Sequence, residues 1–259
     1  MFPIRYNAYR SIKGFNQRVR YLVLHYTAQN FSDSVRSLTG DNVSIHYLIP
    51  DPDDATYKAE GYKDMNIFAM VDEQDRAWHA GISAWGNRSN LNDTAIGIEM
   101  VNLAADDNGT MIFPTYHPQQ IEAVITLSKN ILQRYPDISP VNIIGHSDIS
   151  PGRKSDPGPA FPWQALYDAG IGAWYDECVK EHFCRRFVCE GLPAKGEIIN
   201  QLSLYGYDIS EANDKTGFQL LLRAFQLHFR PENYDGVLDV ETAAVLYALI
   251  EKYVVTSAP

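Results

Sequence analysis

Five short apolar runs, rich in β-branched residues and bounded by polar or Gly/Pro breakers, constrain this chain most: residues 21–24, 45–49, 67–71, 96–101 and 141–144. Runs of that length and composition read as buried strands. Between Pro118 and Pro136 the residues Ile121, Val124, Ile125, Leu127, Ser128, Ile131 and Leu132 recur at helical spacing, which predicts a long amphipathic helix over 118–135. Shorter helices are predicted over 32–38, with Ser32 as cap and Gly40 as stop, and from Trp163 to Ala169 after Pro162. Strands alternating with helices give an α/β fold, a central mixed sheet flanked by helices. From about Glu190 onward the strand-like runs vanish. Three helical patterns remain, at 198–205, 218–229 and 240–253, enough for a small all-α three-helix bundle. The expected units are therefore residues 1–178 and 190–259, with the boundary between Trp174 and Glu190. The acidic, turn-rich stretch 50–64 reads as a surface excursion between two strands.

Charge removes some functions. The 259 residues carry 22 Lys and Arg against 32 Asp and Glu, a net charge of −10. Such a chain lacks the counterion-releasing surface of nucleic-acid binders, so nucleic acid is not an expected partner. No apolar stretch approaches the ~20 residues of a membrane span, and the N-terminus shows no signal-peptide run. Cys178, Cys184 and Cys189 are an odd count with no CxxC spacing, and read as plain thiols.

The chemistry is carried by histidines at strand ends. His25 closes the first apolar run and His146 the last, where α/β folds place functional groups. Either alone reads more readily as a partly buried, hydrogen-bonded histidine. The stretch beyond His146 shifts the balance: Asp156-Pro157-Gly158 lies ten residues on, in a loop able to fold back over the strand end. His25, His146 and Asp156 would then supply two nitrogens and one oxygen with a fourth position open, the composition of a catalytic zinc site. There is no HExxH helix.

The segments Leu22-Val23-Leu24-His25-Tyr26-Thr27, Ser44-Ile45-His46-Tyr47-Leu48-Ile49, Ala77-Trp78-His79-Ala80-Gly81, Asn92 through Glu99, and Gly145 through Pro159 resemble, in order, the type 2 N-acetylmuramoyl-L-alanine amidases. The resemblance implies Zn2+ on His25, His146 and Asp156. It also implies a catalytic role for Glu99, which closes a Gly-Ile-Glu strand, and for Lys154, facing the scissile carbonyl. Trp78, His79, Ala80 and Gly81 match a segment that could line the sugar-peptide groove, with ordinary packing of Trp78 an equal alternative. His46 is expected beside the site or in the core beneath it. Neither His46 nor His79 is assigned to metal, because a fourth protein ligand would close the site. His117, His182 and His228 match nothing catalytic, and His228 is expected at the surface.

The C-terminal stretch resembles a small peptidoglycan-binding domain through Leu222-Arg223-Ala224-Phe225-Gln226, Asp235-Gly236-Val237-Leu238-Asp239 and Glu241-Thr242-Ala243. The implied activity is zinc-dependent hydrolysis of the amide between the lactyl group of N-acetylmuramic acid and L-alanine, on peptidoglycan or muropeptides. The alternative is a peptidoglycan-recognition protein without catalysis. A homo-oligomer or a protein inhibitor stays open as a further partner. The substrate implies a periplasmic site of action, with cytoplasmic residence or nonclassical secretion as alternatives.

Overall fold

The computed structural model describes residues 2–108 and 110–255. Met1 and residues 256–259, at the outer ends of the two expected units, lie outside the described residues. In chain order the elements are β1 (Tyr21–Tyr26), α1 (Phe31–Leu38), β2 (Tyr47–Ile49), α2 (Ala55–Ala59), β3 (Phe68–Ala69), β4 (Ala84–Trp85) and β5 (Arg88–Ser89). They continue with β6 (Ala95–Met100), β7 (Ala105–Asp107), β8 (Thr110–Ile112), α3 (Pro118–Arg134), β9 (Ile143–Gly145), α4 (His146–Ile149) and α5 (Trp163–Asp168). Four helices complete the set: α6 (Glu177–Glu190), α7 (Lys195–Tyr205), α8 (Lys215–Phe229) and α9 (Val240–Ile250).

All five apolar runs enter one sheet, in the order β3-β2-β6-β1-β9. Its members run parallel except β3, which pairs antiparallel with β2. In β1 the residues from Tyr21 to His25 are all buried, as a strand covered on both faces requires. Register then decides what meets at the sheet's C-terminal edge. His25 stands opposite Glu99 of β6, and Leu24 opposite Gly145, the residue before His146. Three chemically useful side chains thus leave adjacent strands at one level.

Helix α3 starts on Pro118 and stops before Pro136, and its apolar stripe of Val124, Leu127 and Ile131 joins the core. Four local expectations need correction. The cap of α1 is Asn30, whose Oδ1 accepts from the Asp33 amide at 2.8 Å, and not Ser32, whose own amide is taken by Thr56 Oγ1. The 50–64 stretch contains α2, capped by Asp54, and buries Tyr57 against Phe31, so it is not purely a surface excursion. The interval between Trp174 and Glu190 holds a fourth C-terminal helix, α6, whose Phe183 and Phe187 pack on Tyr247 of α9. Finally, His228 is buried, stacked between Trp163 and Phe229 with ring centroids 3.7 and 3.8 Å away.

That last histidine ties the C-terminal helices to the sheet. Asp148, wholly buried on α4, accepts from the Gly145 amide at 2.7 Å, from His228 Nδ1 at 2.7 Å and from the Tyr207 hydroxyl at 2.6 Å. One continuous cluster of buried apolar side chains runs from Leu22 to Leu249. Replacing Asp148 by Ala strands three buried donors at about 1–3 kcal/mol each, so urea unfolding should show a loss of about 3 kcal/mol or more. A loss under about 1 kcal/mol would mean that this junction carries no weight.

Candidate active site

The loop after α4 returns to the strand ends because it is held at both sides. The Ser147 amide donates to the Asp156 carbonyl at 2.9 Å, and the Tyr116 hydroxyl donates to the Pro157 carbonyl at 2.7 Å. Gly145 makes the close approach possible, since a Cβ there would meet Pro157 Cδ at 2.7 Å. Asp156 is thereby brought over His25 and His146.

The three side chains converge on one point. His25 Nδ1 lies 3.0 Å from His146 Nδ1 and 2.9 Å from Asp156 Oδ2, and His146 Nδ1 lies 3.0 Å from the same oxygen. All three residues are buried. His146 Nε2 lies 3.0 Å from the Ala80 carbonyl, which can take its proton, and 3.3 Å from Arg153 Nη2, which can donate to it. Whichever ring nitrogens are protonated, at least one pair of lone pairs or of N–H groups in the triangle faces its like, and hydrogen bonding alone cannot satisfy all three atoms. A cation can. Two imidazoles and a carboxylate suit zinc, whose bonds to such ligands are about 2.0–2.1 Å. Burial, then the neighbouring His146, lowers the His25 pKa to about 4 despite Asp156. Burial alone would raise Asp156, but His146 and His25 hold it well below the usual carboxylate range. Neutral imidazole and ionised carboxylate are the forms that bind metal.

A cleft of about 500 Å³ opens above these atoms, with Glu99, Lys154, Trp78 and His79 in its wall. Glu99 Oε2 is buried without a hydrogen-bond partner among the described residues. Burial, reinforced by the Asp156 charge and opposed by Lys154, raises its pKa well above the ordinary 4.5. His79 Nδ1 lies 2.9 Å from His25 Nε2, so His79 buttresses a member of the triangle from behind. His46 is in the core, its Nδ1 accepting from the Gly97 amide at 3.0 Å. Trp78 is 51% exposed, free to offer a face to the cleft. Ala80 is buried and contributes its carbonyl to His146, while Gly81 stands back against Arg153. A larger hollow of about 610 Å³ beside α1 is lined mainly by apolar side chains and lacks any such cluster.

Arg153 is a residue at the site that sequence reasoning does not single out. Its Nη2 donates to the carbonyls of Ala80 at 3.0 Å and Ile82 at 2.7 Å, fastening the 78–82 segment to the loop that carries Lys154. Its place between Gly152 and Lys154, in the stretch that carries Lys154 and Asp156, is the signal that could have found it.

The family model for N-acetylmuramoyl-L-alanine amidase matches residues 15–159. The amidase AmiD of Escherichia coli K12 is 42% identical over 237 residues, 91% of this chain and 84% of that protein. The chain belongs to the N-acetylmuramoyl-L-alanine amidase family. The crystal structure of AmpDh3 from Pseudomonas aeruginosa superposes with a TM-score of 0.96 at 57% identity, covering 98% of this chain and 99% of that one. Escherichia coli AmiD, in complex with anhydro-N-acetylmuramic acid-L-Ala-D-γ-Glu-L-Lys, gives 0.84 at 39% identity over 96% and 97% of the two chains. These likenesses extend through the C-terminal helices. Membership in the amidase family makes the chain an enzyme of amide hydrolysis and does not favour the non-catalytic alternative.

Glu99 yields a test that needs no substrate. Its raised pKa means the native state holds the proton more tightly than the unfolded chain. The stability this contributes is full below the ordinary value of 4.5 and is lost as pH rises toward the raised one. Glu99→Gln has no such proton to lose. In metal-free protein its thermal midpoint should match the parent's near about pH 4 and exceed it increasingly at higher pH. Parallel curves would contradict the buried, destabilised carboxylate.

Proposed function

We propose that this amidase hydrolyses the amide between the lactyl group of N-acetylmuramic acid and L-alanine, in peptidoglycan and its muropeptide fragments, using zinc held by His25, His146 and Asp156. The observation that carries the reading is the convergence of these three ligand atoms at the floor of an open cleft. When bound, zinc would supply Lewis acidity and a water acidic near pH 7. Glu99, opposite His25 in register, takes the proton of the attacking water and returns it to the departing L-alanine nitrogen. The Lys154 ammonium, on the cleft wall, stabilises the oxyanion that develops on the lactyl carbonyl. Trp78 offers an apolar face to the sugar-peptide chain, beside the 79–81 segment. A carbon–nitrogen bond breaks, a carbon–oxygen bond forms, and the products are a lactyl carboxylate and a free amine.

Residues 190–259 are assigned to murein binding by their resemblance, with 1–178 as the catalytic unit. The Asp148 junction supports a second duty for the helices, bracing α4. The substrate class points to a periplasmic site of action.

Two experiments test the proposal. Chelation should abolish release of the L-alanyl peptide and zinc should restore it in the parent but not in Asp156→Ala. Full turnover by metal-free protein would overturn the zinc assignment. Glu99→Ala and Lys154→Ala should keep their zinc and lose about 10²–10⁴-fold and 10²–10³-fold in turnover, respectively. Near-parental rates with zinc bound would remove either residue from the mechanism.

A further inference from the structure

The cleft does not end at Lys154. A smaller hollow of about 190 Å³ shares Met111, Lys154 and Ser155 with it and is closed on the far side by Leu220 and Arg223 of α8. The contact between helix and loop is intimate. Gly152 has φ +77°, and a Cβ there would meet Leu220 Cδ1 at 2.7 Å. Arg223 Nη1 reaches Ser155 Oγ at 3.4 Å, and its guanidinium lies 5.3 Å from the centre of the Tyr234 ring, which packs in turn on Phe113. Arg223 therefore touches the residue that lies between Lys154 and Asp156. It forms no ion pair among the described residues, although acidic side chains outnumber basic ones by 32 to 22 in the chain. A guanidinium held over an aromatic ring, with donors free beside the hollow that Lys154 also lines, is suited to take a carboxylate.

We infer that Arg223 forms a subsite for the stem peptide, binding the free α-carboxylate of the second residue. The inference rests on the amidase reading above. A γ-linked D-glutamate, as in the ligand of the AmiD complex, keeps its α-carboxylate free. That group sits one residue past L-alanine, about 6 Å from the scissile amide by backbone dimensions. Lys154 and Arg223 line the same small hollow, so with the scissile carbonyl at Lys154 the carboxylate is directed toward Arg223. The C-terminal helices then read the substrate as well as bracing the fold, and Arg223 acts as a specificity residue rather than a catalytic one.

The test compares muramoyl-L-Ala-D-γ-Glu-L-Lys with its counterpart carrying isoglutamine, in which the α-carboxylate is amidated. The zinc-loaded parent should favour the acid by about tenfold in kcat/KM, mainly through KM, as loss of a charge-assisted hydrogen bond implies. Arg223→Gln should collapse that ratio toward one, Arg223→Lys should recover part of it, and Arg185→Gln on the exposed face of α6 should keep it. Calorimetry of the peptide L-Ala-D-γ-Glu-L-Lys and its amide on metal-free protein should show the same preference and its loss in Arg223→Gln. A ratio that survives Arg223→Gln, or equal losses on both substrates with a lowered thermal midpoint, would overturn the subsite. If the parent cleaves neither substrate, the amidase reading fails and the subsite falls with it.

Discussion

Three acceptor atoms from three separate stretches of chain face one another at hydrogen-bond distance, and most of this structure can be read as the means of keeping them there. Left to themselves, two imidazole nitrogens and a carboxylate oxygen would turn apart, each to its own donor. Here the parallel register of β1, β6 and β9 fixes the strand ends. The Ala80 carbonyl and Arg153 hold the outer nitrogen of His146, and the Ser147–Asp156 backbone bond fixes the returning loop. Behind them, Asp148 locks α4 to Tyr207, in the loop after α7, and to His228 of α8.

Much of this is legible in the sequence, for physical reasons. Short β-branched runs can hardly become anything but buried strands, so all five stand out and the sheet with them. His25 and His146 are conspicuous because strand ends are where side chains escape the sheet. The features that escape detection depend on partners distant in sequence. His228 looks like a surface residue on a helix until Asp148 and Trp163 are placed beside it. Asn30 and Ser32 are equally good caps locally, and only the proximity of Thr56 chooses between them. Helix α6 has just two well-buried aromatics in a polar stretch, too weak a stripe to read before α9 is in place.

The cleft also shows where stability has been given up. A glutamate whose buried oxygen has no hydrogen-bond partner among the described residues and a cluster of three neighbouring histidine rings are poor choices for a core. They suit the proposed mechanism, in which the site holds a cation and moves a proton. The surrounding sheet, buried on both faces and continuous with the C-terminal helices, supplies the rigidity that lets such a site persist.

The most direct test of this account is X-ray absorption at the zinc edge of the zinc-loaded protein. The account requires four nitrogen or oxygen scatterers at about 2.0–2.1 Å, two of them with the outer-shell pattern of imidazole and one exchangeable with solvent. A third imidazole, which would bring His79 into the shell, or sulfur at about 2.3 Å would contradict it.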